Sequence, residues 1–190
     1  MLVLLALFFL FGILLGQVAA RQVLTEAGAE LNRYLEGYLL LDIPCDWRAA
    51  VSALVLYLRF PLLAALLGFA SVGVLLIPIT AAAMGWLLSF SVCCFTAAFG
   101  PHGVLLSLAV FGLRCAVTLP CFFLLAVPAM ETSGALAALS FGRGRHTAAV
   151  TYGIVCHRLC VCVPVLLAGV CVDVWLSPWL LQQMLEQILA

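Results

Sequence analysis

The sequence predicts an all-α protein, a polytopic membrane helix bundle of about five transmembrane helices with amphipathic outer helices. Three observations carry that prediction. The 190-residue chain is 67% hydrophobic and only 8% charged, against roughly 25% charged residues in soluble domains. Its mean hydropathy is +1.29. From Phe60 to Leu113, 54 residues contain no Asp, Glu, Lys or Arg; as helix they would run roughly 80 Å, far beyond a hydrocarbon core of roughly 30 Å. That stretch must cross more than once.

Met1 to Ala20 is continuously apolar. It lacks the basic leader of a signal peptide and is long enough to span, so residues 2–20 are read as a retained first span. Gly12 and Gly16 in "FGILLG" put two bare backbone patches on one helix face, a spacing that suits close helix packing. Residues 21–48 are the main polar stretch, with five acids, three Arg and apolar residues at Leu24, Ala27, Leu31, Leu35 and Tyr38. Intervals of three and four predict an amphipathic helix, ended by Ile43-Pro44.

Two spans follow, approximately 60–80 and 84–99, with the join expected between Pro78 and Gly85. After the Gly100-Pro101-His102-Gly103 turn a fourth span is expected over 104–129, kinked at Pro120 and Pro128. Residues 131–158 hold Glu131, Arg143, Arg145, His146, His157 and Arg158, and a basic loop of this kind is expected on the cytoplasmic side. A fifth span fits 159–176, with Asp173 and Trp175 at its far end. Ser177 and Pro178 then suit the start of a short interfacial helix over 178–190. Five crossings put the N-terminus inside and 21–59, the "GPHG" turn and the C-terminal helix outside.

Eight Arg balance eight acids and there is no Lys, so no basic stripe for nucleic acid is present. Eight of nine Cys lie in apolar surroundings, where a thiol acts as a small hydrophobe. "CHRLCVC", residues 156–162, sets Cys156 and Cys160 on one helix face, but no second pair completes a four-ligand metal set. Glu131 and Asp173 are expected on opposite sides of the membrane, so they cannot form an acid and base pair across one bond. No catalytic residue, metal site or cofactor is therefore expected.

Arg114 is the charge expected at membrane depth, near the middle of span four, where insertion costs about 2.5 to 3.5 kcal/mol or more. No carboxylate of this chain is expected at its depth. A partner protein, carbonyls freed by the nearby prolines, or a headgroup reached by snorkelling would each serve it. His102 has no nearby Asp, Glu, Ser or Cys in sequence; with Pro101 and Gly103 it reads as an outer turn.

The order of features resembles stage II sporulation protein M of endospore-forming bacteria. The resemblance rests on "FLFGILLGQVAARQVLTEAGAELNRYLEGYLL", the charge-free middle, "GPHGVLL" before a proline-containing span, the Arg-bearing loop and "VDVWLSPWLLQQM". Two features depart from the family: Met1 opens the first span directly, and the spans are rich in Cys. The resemblance implies a non-enzymatic scaffold in the mother-cell membrane at the sporulation septum. Its partners would be membrane lipids, a lytic transglycosylase and an amidase, which it gathers for septal thinning and engulfment; self-association into a homo-oligomer stays open. The alternative on the residues alone is a small transporter or channel for a lipid or apolar solute, with Arg114 on an anionic headgroup.

Overall fold

A computed structural model describes the backbone of residues 1–40, 47–99, 104, 107–140 and 148–189. The described residues form five α-helices and one short π-helix, and no strand. The helices are α1 (Leu2–Leu40), α2 (Trp47–Gly68), α3 (Gly73–Phe99), α4 (Leu113–Ser140) and α5 (Ala148–Leu189), with the π-helix at Leu108–Gly112. Among the described residues, four stretches are long and apolar enough to cross a membrane: Leu2–Gln22, Gly73–Ala97, Arg114–Ser140 and Gly153–Asp173. The chain is a multi-pass membrane protein.

Residue pairs along the helix seams fix the topology. Gly12 meets Ala82 and Gly16 meets Trp86, so α1 and α3 run parallel. Tyr57 lies beside Arg114 and Gly68 beside Ala129, so α2 and α4 also run parallel. Arg114 meets Asp173 while Arg158 reaches Leu124, making α4 and α5 antiparallel. Val74 meets Ser133 at one end of the α3–α4 seam and Phe95 meets Phe111 at the other.

Two faces follow from these directions. Met1, the turn between α2 and α3, the end of α4 and the start of α5 share one face. The far ends of α1, α3 and α5 and the starts of α2 and α4 share the other, called the Arg114 face below. Since α1 ends on the Arg114 face and α3 begins on the Met1 face, α2 must cross between them.

The core lies where α4 is enclosed. Leu5, Ile77, Ala81, Met84, Ala64, Phe122, Ala126, Ala129 and Met130 pack together toward the Met1 face. Tyr57, Cys121, Leu125, Cys162, Leu166 and Val170 join α2, α4 and α5 toward the Arg114 face. By contrast Leu2, Val3, Leu7, Leu10, Phe11 and Leu14 of α1 are exposed, as suits side chains whose solvent is hydrocarbon.

The element boundaries differ from the sequence expectation in four places. The expected join between Pro78 and Gly85 instead lies at Phe69–Val72, and Pro78 sits inside α3. The reason is a hydroxyl distant in sequence: Ser133 of α4, 59 residues beyond Val74, accepts from the Val74 N–H at 2.8 Å and donates to the Ala70 carbonyl at 2.6 Å. It thereby caps the start of α3 without any local signal. Gly73 completes the turn, because a Cβ there would run into the Leu67 carbonyl and sit 2.8 Å from Ser133 Oγ.

Span four is displaced as well. The candidate crossing on α4 is Arg114–Ser140, not 104–129, because residues 131–140 stay helical and mostly uncharged beyond Glu131. The expected loop 131–158 is thus largely helix, divided between α4 and α5. α1 passes unbroken from its span into the polar stretch, which has no proline before Pro44. Ser177 and Pro178 lie within α5 and start no new helix; a break there would release the carbonyls and N–H groups of two new helix ends.

Candidate functional site

Arg114 stands in the first turn of α4, directly after the π-helix, and not at mid-span. Its Nη2 donates to Asp173 Oδ2 of α5 at 2.9 Å. This overturns the expectation that no carboxylate of the chain shares its depth. The sequence expectation set Asp173 near the far end of the last span and Arg114 at mid-span four, which kept the two apart. Asp173 is almost wholly buried, with 4% of its side chain exposed, whereas Arg114 keeps 23%.

Tyr57 of α2 forms the floor of the pair. The Arg114 guanidinium carbon lies 5.5 Å from the Tyr57 ring centroid, within the range where a ring quadrupole attracts a cation. The ring fits because Gly169 of α5 has no side chain: a Cβ there would stand 3.1 Å from Tyr57 Cε1 and 3.0 Å from Val117 Cγ1. One helical turn beyond Arg114, Thr118 is buried too. Among the described residues, Tyr57 Oη, Arg114 Nε and Thr118 Oγ1 are buried without a hydrogen-bond partner. Three helices therefore meet at a compact polar knot with spare donors, where spans α4 and α5 reach the Arg114 face.

A second arginine does what sequence reasoning assigned to prolines and Arg114. Arg158 of α5 donates from Nη1 to the Leu124 carbonyl at 3.0 Å. Leu124 is four residues before Pro128, so its carbonyl is the one Pro128 leaves without an N–H partner. The carbonyl freed by a proline is thus used, but by Arg158, a residue expected in a loop. The signal was present: a basic residue and a proline at matching distances from the α4–α5 connection.

The remaining candidates are distributed. Gly12 and Gly16 both lie in the α1–α3 seam: a Cβ at Gly12 would collide with the Ala82 carbonyl, and one at Gly16 would come 2.5 Å from the Trp86 carbonyl. Gly85 of α3, which the sequence set at the edge of an expected break, receives the Phe9 backbone in the same way. Pro101, His102 and Gly103, with Arg143, Arg145 and His146, lie outside the described residues. Glu131 is exposed near the Met1 face, two residues from Ser133, while Asp173 is buried at the other face. Cys156 and Cys160 are exposed and Cys162 is buried with Cys121. Among the described residues, no three His, Cys, Asp or Glu side chains are placed to share a metal ion.

Compared with protein-family models, with curated proteins and with solved structures, the chain has no match.

Proposed function

We propose that this chain is a non-enzymatic membrane scaffold that holds partner proteins on its Arg114 face. The observation that carries the reading is the length of α1 and α5. Each continues as helix past its span, from Gln22 to Leu40 and from Asp173 to Leu189, which at about 1.5 Å per residue amounts to roughly 27 and 24 Å beyond the hydrocarbon. Both extensions leave by the Arg114 face, and the Arg114–Asp173 pair clamps the base of α5 to α4. Two helical arms on a braced base suit docking of partners beside the membrane.

The resemblance to stage II sporulation protein M supplies the partner class: a lytic transglycosylase and an amidase, gathered at the sporulation septum on the outer side of the mother-cell membrane. The test is to isolate the tagged full chain from sporulating cells of its host and probe for the two hydrolases. The scaffold reading expects both, and expects their loss when the arm from 178 to 190 is removed. Retrieval of neither from cells that express both overturns it.

The transporter alternative began from an unpaired Arg114 contacting an anionic headgroup. Asp173 now occupies that guanidinium, so no specific observation favours the alternative.

A further inference from the structure

With α2 fixed as Trp47–Gly68, Arg59 lies near the centre of a crossing helix, not at the margin of an outer segment. One side of α2 packs inward through Tyr57, Pro61, Ala64, Ala65 and Gly68. The opposite side is a stripe at intervals of three and four: Val55, Leu56, Arg59, Leu62, Leu63 and Leu66, all exposed. Arg59 is its charged member. Among the described residues no carboxylate meets it, and its guanidinium carbon rests 4.6 Å from the Phe60 ring centroid.

A cation turned toward hydrocarbon is costly unless it finds a counter-charge. Long helical side chains lean toward their helix N-terminus, and the N-terminus of α2 is on the Arg114 face. Arg59 is two residues beyond Tyr57, so its Cα is only about 3 Å deeper than that of the residue beneath Arg114. From that depth an extended arginine side chain is long enough to reach the headgroup region of that leaflet. Below it, Leu62, Leu63 and Leu66 continue an apolar track for about 10 Å. The track has no Gly, Ala or Ser to admit another helix backbone; Ala64, Ala65 and Gly68 beside it are on the inward side of α2. An acyl chain fits this surface better than a partner helix does.

We propose that Arg59 and the leucine track of α2 form a site for one anionic phospholipid, with its phosphate on the guanidinium and an acyl chain along Leu62, Leu63 and Leu66. Arg114 does not compete for the phosphate, because Asp173 neutralises it.

The test uses the full chain in detergent, titrated with phosphatidylglycerol or phosphatidylcholine, reading bound lipid by native mass spectrometry and stability as Tm. Phosphatidylglycerol is expected to raise Tm several degrees more than phosphatidylcholine. Arg59→Gln is expected to abolish that difference and to lower phosphatidylglycerol adducts at least tenfold. Leu63→Glu, which gives Arg59 an intramolecular carboxylate one turn away, is expected to remove the preference while keeping the cation. Undiminished preference for phosphatidylglycerol in either variant overturns the proposal. So does an Arg59→Gln protein that keeps its lipid but loses a co-purifying membrane protein, which would assign Arg59 to an acidic partner helix.

Discussion

Replacing Asp173 by Ala takes the counter-charge from Arg114 and leaves the guanidinium with the Tyr57 ring and its own partial exposure. Removing one member of a buried ion pair costs about 3 to 5 kcal/mol. Arg114 keeps 23% of its side chain exposed, so water screens the stranded cation. The expected loss for Asp173→Ala is therefore about 2 to 3 kcal/mol, just below the range for a fully buried broken pair. Arg114→Leu strands a carboxylate that is 4% exposed, and the expected loss is larger, about 3 to 4 kcal/mol. Replacing both by Leu removes both charges and is expected to cost about 1 kcal/mol or less, because apolar substitution of a whole buried pair is often neutral. Unfolding of the purified protein by sodium dodecyl sulfate in mixed micelles reads all three. The reasoning fails if the double variant loses the sum of the single losses, because the two residues would then not act on one another.

Four further predictions follow from other contacts. Arg158→Leu is expected to cost about 1 to 2 kcal/mol by stranding the Leu124 carbonyl; in a Pro128→Ala background, where a backbone N–H returns to that carbonyl, the same change is expected to cost near zero. A double-mutant cycle in the same micelle assay measures this. Ser133→Ala is expected to cost about 1 to 3 kcal/mol by leaving the Val74 N–H without its acceptor, read as faster hydrogen exchange at the start of α3. Gly12→Leu is expected to separate α1 from α3 and lower Tm by several degrees, while Gly153→Ala, with nothing within 4 Å of its added Cβ, should leave Tm unchanged. Tyr57→Phe discriminates two states of the polar knot. If Oη is an orphan donor the variant gains stability, and if a water bridges it to Arg114 or Thr118 the variant loses about 1 kcal/mol.

Composition made the fold class legible, since a chain this apolar and this poor in charge has few other ways to satisfy its backbone. The ends of the outer spans, where charge returns, were legible to within a turn: the first, expected over 2–20, ends at Gln22, and the last, expected over 159–176, ends at Asp173. The α2–α3 turn was not, because its cap is Ser133, distant in sequence, while the residues that resemble a break, Pro78 and Gly85, are absorbed into α3. That displaced turn had a consequence for α2. It left Arg59 in an outer segment, while the separate expectation of span four over 104–129 put Arg114 at mid-membrane without a partner.

The site was half legible for the same reason. Arg114 was identifiable as the expensive residue, and Asp173 as an acid at the end of a span. Their meeting depends on helix depth, which a local reading of hydropathy cannot fix to within a turn. Tyr57 had no signal at all, since its role depends on Gly169 making room for its ring. Arg158 looked like one more cation of a basic loop until the proline opposite it supplied the acceptor.

The scaffold account is tested most directly by deleting the gene in its host and following septal peptidoglycan through early sporulation by electron cryotomography. The account predicts a septum that stays thick and a mother-cell membrane that fails to migrate around the forespore, with both restored by the wild-type chain. Normal thinning and complete engulfment in the deletion strain would contradict it.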